Sequence, residues 1–185
     1  YAAAGNDITF FAATSINLES GEVSRRHCHI IEYEEAYLSR GAEGRLRYRF
    51  DNPICKMLSR SFIESNGLRF DEVKCANDVL FSVQAGHKAG RIAVSRDVVY
   101  VITESTTIGS LSMTHSRENE FIRFAEAIKV NRYLAGEGVR TYQRRLIPPI
   151  VHSLSWFGVG ECWKYLRYAL SQKANLLAGY RKQDA

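Results

Sequence analysis

Nowhere in the chain does an apolar run approach the roughly 18 to 20 residues that a membrane-crossing helix needs, and no basic-then-apolar leader of the secretory kind opens it. A soluble or membrane-peripheral protein is therefore expected. No CxxC pair occurs, and the four cysteines, Cys28, Cys55, Cys75 and Cys162, follow no regular spacing. That pattern argues against a disulfide framework or a structural zinc site and for isolated thiols in a reducing compartment. His27, Cys28 and His29 in RRHCHI lie too close together to converge on one ion without a second ligand pair, and no HxxxH supplies one. The stretch reads as a loop. Methionine is missing from position 1, and Tyr1 precedes the apolar run ITFFAAT by only a few residues, which suggests a piece of a longer polypeptide.

What is present suits a folded protein. With 185 residues, 45% of them hydrophobic, the chain supports one ordinary domain, or a small domain plus an appendage. Its charge is uneven. Residues 1–115 hold 13 Lys and Arg against 14 Asp and Glu, whereas residues 116–185 hold 12 against 6, so the first part stands at −1 and the last at +6. No nucleic-acid recognition motif accompanies this modest excess, and no nucleic-acid partner is expected.

Along the chain, DITFFAA reads as a buried strand and IIEYEEAYLSRG as an amphipathic helix stopped by glycine. RLRYRF alternates Leu46, Tyr48 and Phe50 with Arg45, Arg47 and Arg49, which predicts a strand with one solvated face. ICKML predicts a further strand. Ser59 or Ser61 is placed to cap a helix over 61–66 that Asn66-Gly67 closes. Residues 77–89 carry a helical pattern, and RIAVS and VVYVIT predict two strands split by Arg96 and Asp97. Strands alternating with helices make this part α/β. From about Ser116 the pattern turns all-helical: one helix ending at Gly136 and Gly138, a second from about Val139 that Pro148-Pro149 must break or kink, and a third within GECWKYLRYALSQ. The expected division is 1–115 and 116–185.

The run from Pro53 to Ser112, PICKMLSRSFIESNGLRFDEVKCANDVLFSVQAGHKAGRIAVSRDVVYVITESTTIGSLS, resembles the C-terminal half of bacterial family 2 glycosyltransferases, which build surface glycans. It holds, in the family's order, a strand running through Lys56 into R-x-F-I, an N-x-L-R-F-x-E stretch, an acidic position followed by V-L-F, an A-x-x-I-x-V strand, a tyrosine-containing strand and a serine-rich turn. The resemblance covers about a third of the chain, and NDITFFAATSINLESG extends it upstream. It implies an α/β fold: the C-terminal, acceptor-side part of a GT-A, Rossmann-like domain, followed here by a basic helical extension.

The same resemblance implies an inverting transfer from a nucleotide-sugar donor to a glycan or lipid-linked acceptor, in the cytoplasm or at the inner face of the membrane. A divalent metal, Mg or Mn, is implied for the full-length enzyme, held by an Asp-x-Asp motif. That motif is missing from these residues, so no metal is expected to be bound by this chain, and the isolated chain is expected to be inactive. A fragment of this kind leaves a sheet edge uncovered, for which self-association is the expected remedy.

Asp78 matches the family's general base. Asn77 is placed to cap the helix, which would set Asp78 in a first turn whose dipole favours the ionised carboxylate. Asp and Asn are also common at helix starts for purely structural reasons, and Asn77 stands where the family often has Glu. Asn77 and Lys56 are the expected acceptor-side contacts, although Lys56 equally suits a support of the fold. His115 could approach the diphosphate, but a lone histidine in a polar turn is more often solvated.

In the tail, Arg140, Arg144, Arg145, Lys164, Arg167, Lys173, Arg181 and Lys182 interleave with Trp156, Phe157, Trp163, Tyr165 and Tyr168. That mixture suits either the surface of an anionic membrane or a charged outer face of packed helices. A non-catalytic membrane- or protein-interaction module that keeps the fold is the alternative to the enzyme.

Overall fold

The computed structural model describes residues 5–105 and 115–180. They fall into two compact units, 5–70 with 81–105, and 71–80 with 115–180. The serine-rich turn after Ser105 and the basic pair Arg181-Lys182 lie outside the described residues. Among the described residues, no helix is long and apolar enough to cross a membrane.

The first unit is built on a three-stranded sheet in the order β2-β1-β3. Its central strand is β1 (Ile8–Asn17), in which every residue from Ile8 to Ala13 is buried. A continuous apolar run is what a strand covered on both faces requires. β2 (Lys56–Leu58) pairs antiparallel to it and β3 (Ile92–Glu104) parallel. The expected strands RIAVS and VVYVIT are one: Phe11 pairs with Ser95 and Ala12 with Val98, so Arg96 and Asp97 bulge out of a continuous β3. Four helices lie between β2's neighbours in sequence: α1 (Cys28–Arg40), α2 (Gly44–Tyr48), α3 (Arg60–Ser65) and α4 (Val79–Lys88). Cys28 and His29, expected in a loop, open α1. α1 ends on left-handed Gly41, and the Ser59 side chain caps α3 by accepting the Phe62 N–H, both as the sequence predicts.

RLRYRF is the main departure: it is helix α2 running into a turn, not a strand. The two fully buried residues are Leu46 and Phe50, four apart, which is the spacing of one helical face. Arg47 lies on no solvated face. Its guanidinium donates to the Gly86 and Ala89 carbonyls, 2.7 Å each, and pairs with Glu43 at 2.6 Å. It thereby satisfies carbonyl groups at the C-terminal end of α4 that have no partner within the helix.

Glu34, on the buried side of α1, is 3% exposed and its Oε1 has no hydrogen-bond partner. Burial, and then the charge of Glu35, pushes its carboxyl from 4.5 up to about 7. An acid whose folded pKa is raised favours the folded state below its unfolded value, and that contribution is lost as pH rises from there through about 7. Glu34→Gln is therefore expected to be more stable than the parent at about pH 8, by about 3 kcal/mol, with the difference vanishing near pH 4. Denaturant titrations of both proteins across that range measure it.

In the second unit, α5 (Arg117–Gly136), α6 (Ile147–Phe157) and α7 (Val159–Ser171) surround a core of Phe124, Ile128, Leu146, Ile150, Tyr165 and Ala169. α5 runs as expected, with Ser116 as its cap. The second tail helix does not start near Val139. Residues Arg140–Tyr142 make a single 3-10 turn, and the Asn131 side chain donates to the Arg144 carbonyl at 2.8 Å while the Gln143 side chain donates to the Asn131 carbonyl at 2.9 Å. Those bonds hold the segment in a turn against α5. Pro148 and Pro149 then start α6 instead of breaking a helix, because a missing N–H costs nothing in a first turn.

Candidate functional site

Asp78 lies at the end of a short loop, residues 71–78, immediately before Val79 opens α4. The expected cap position thus shifts by one residue, from Asn77 to Asp78. The loop is closed by its own backbone: the Asp71 N–H donates to the Asn77 carbonyl at 3.0 Å, and the Val73 N–H to the Asp71 carbonyl at 2.9 Å. Ala76 takes a left-handed backbone, φ 56°, two residues ahead of Asp78, a conformation that a non-glycine residue adopts only when its surroundings impose it. Asp78 is half-buried and Asn77 exposed.

The surroundings that hold this loop come from α5. Lys129 bridges two carboxylates, Nζ to Asp71 Oδ2 at 2.9 Å and to Glu126 Oε1 at 2.8 Å. Glu126 is 2% exposed. Burial works against the charge on Asp71, yet hydrogen bonds from Lys129 and Glu126, and the charge of Lys129, hold its carboxyl below the usual range. Burial pushes Glu126 the other way, and its contact with Asp71 adds to the rise. Two carboxyls whose proton affinities are driven apart in this manner can share one ammonium without full mutual repulsion. Lys74 pairs with Glu118 at 2.6 Å, and the buried Cys75 donates its S–H to the Asn119 carbonyl at 3.6 Å. Burial raises the Cys75 pKa and so disfavours its thiolate.

Asn77 and Asp78 thus share one loop in the second unit. Lys56 belongs to the first unit, where its ammonium donates to the Phe50 carbonyl and lies 4.4 Å from the Phe50 ring centroid and 5.5 Å from that of Phe10. Those contacts tie Lys56 to the sheet's own core. His115 is exposed, paired with Glu120 at 2.8 Å and set edge-on to Trp156. Sequence reasoning missed Asp71, Glu126 and Lys129. Their only signal is the Glu126/Lys129 spacing of one helical turn, and Asp71 lies 58 positions from Lys129.

Among the described residues, no three His, Cys, Asp or Glu side chains are placed to hold a metal ion. They do not supply the ligand set of the divalent metal that the family resemblance implies. The chain matches no protein-family model and no curated protein sequence.

Proposed function

We propose that the chain is the acceptor-side part of an inverting, nucleotide-sugar-dependent glycosyltransferase of the family 2, GT-A kind, acting in surface polysaccharide synthesis with Asp78 as its general base. The observation that carries this reading is the ordered series of sequence elements from Pro53 to Ser112, with its acidic residue at the start of a helix. A loop closed on itself and tied to α5 steadies the backbone that carries this carboxylate, and proton transfer requires a fixed position of that kind. Further support comes from β3. It is an edge strand of a small sheet, and Val98, Val99, Tyr100 and Val101 are all exposed along it. Such a row fits a sheet that continues into further polypeptide.

In this reading the acceptor hydroxyl attacks the anomeric carbon from the face opposite the leaving group. The new C–O bond forms as the bond to the diphosphate oxygen breaks, and that electron pair departs with the nucleoside diphosphate. The hydroxyl proton passes to the Asp78 carboxylate. The acceptor is a glycan or a lipid-linked saccharide, and a nucleotide-sugar donor places the reaction in the cytoplasm.

A direct displacement inverts the anomeric centre. Full-length protein incubated with nucleotide-sugars and saccharide acceptors is expected to release nucleoside diphosphate and give a product of inverted configuration by NMR. A product of retained configuration would contradict a single-base displacement.

A further inference from the structure

The helical hairpin α6–α7 carries large apolar side chains that its own core does not use. Of the tail aromatics, Tyr165 is fully buried, whereas Trp156 is 50% and Trp163 59% exposed. Val159 (76%) and Leu170 (67%) are exposed as well. Val159, Trp163 and Leu170 recur at intervals of four and seven residues, so they form one stripe along α7. Lys164 and Arg167 lie on the exposed side of the same helix, and the acidic residue of α7, Glu161, is only 19% exposed and pairs with Lys164 at 3.5 Å. Beside them a shallow groove of about 460 Å³ is lined by Phe121, Trp163, Lys164, Arg167 and Tyr168.

We infer that this face docks on an anionic lipid bilayer, with Trp163 at headgroup level and Lys164 and Arg167 against lipid phosphates. Charge complementarity selects the occupant. An apolar stripe alone would suit any apolar partner, but an apolar stripe flanked by basic residues matches acyl chains beneath negative headgroups. Amphipathic side chains of this kind put their aliphatic or aromatic parts into the acyl boundary and leave their polar ends wet. This inference does not depend on the transferase reading.

Trp163 lies in this stripe, and Trp156, the chain's other tryptophan, is half-exposed on α6, so intrinsic fluorescence of the full chain, read beside Trp163→Ser, is a direct probe. Vesicles of phosphatidylcholine with phosphatidylglycerol are expected to bind the protein, shift its emission to the blue and release it as salt is raised. Phosphatidylcholine alone should bind far less. Each basic residue at such a surface is worth about fivefold in binding, so replacing Lys164 and Arg167 with Gln should weaken it on the order of thirtyfold. Trp163→Ser should weaken binding while preserving its salt dependence. Both variants alter exposed positions, and unchanged circular dichroism verifies their folding. Equal or absent binding to the two vesicle types overturns the inference. So does anionic binding with no emission shift, which would mean adhesion through another basic surface. A concentration-dependent blue shift without lipid overturns it in favour of a second copy of the chain.

Discussion

Replacing Gly86 with Ala is expected to destabilise the first unit by more than about 3 kcal/mol, the upper end of the usual cost of overpacking. In the interior of a helix the same change normally stabilises, by roughly 1 kcal/mol. Here the added Cβ would meet the Arg47 carbonyl oxygen at 2.1 Å and its carbonyl carbon at 2.8 Å. Those are backbone atoms and cannot rotate away, so α4 must move off α2. Moving it also breaks the bonds from the Arg47 guanidinium to the Gly86 and Ala89 carbonyls and separates the Tyr48 hydroxyl from His87 Nδ1, now 3.1 Å apart. Gly136→Ala is the control, because nothing lies within 4 Å of a Cβ there; it should be neutral or slightly stabilising. Denaturant unfolding of both variants measures the contrast, and a neutral Gly86→Ala would mean that α2 and α4 do not approach as described.

That same approach explains why RLRYRF is misread from sequence. Three apolar residues alternating with three arginines satisfy a strand pattern, but Leu46 and Phe50 satisfy a helical one equally well. What decides is a glycine 39 positions beyond Arg47, at which one helix backbone can touch the other. No local window contains it. The strand β1 and the helices α1, α3, α5 and α7 are legible because their signals are local: a continuous buried run, a capping serine, a left-handed glycine, a periodic apolar face. Pro148-Pro149 is legible as a helix boundary but not in its direction. Proline ends a helix behind it or begins one ahead, and the choice falls to the Asn131–Gln143–Arg144 bonds.

For the candidate site, the sequence points to Asp78 and to a helix beginning there. It does not tell what steadies the loop. The Asp71–Lys129 and Cys75–Asn119 contacts join residues 58 and 44 positions apart, and Asp71, Glu126 and Lys129 are of types ordinarily found at the surface. The loop and Asp78 accordingly belong to the same compact unit as the helical tail. The tail, read from sequence as an appendage, is part of what positions the proposed base.

Replacing Asp78 with Asn in the full-length protein is the second large effect expected, and the most direct test of the transferase reading. Asn keeps the size and capping ability of the side chain but accepts no proton, so folding and nucleotide binding should be preserved. The rate of sugar transfer at saturating donor should fall by about 10²- to 10⁴-fold, the range for loss of a positioned general base. Asn77→Ala should be milder, since the loop uses the Asn77 carbonyl and the side chain is exposed. The decisive measurement is the transfer rate of Asp78→Asn beside its nucleotide affinity. A collapsed rate with unchanged affinity is expected. A rate like the parent's would contradict the transferase reading, leaving Asp78 as a helix cap and favouring the non-catalytic module.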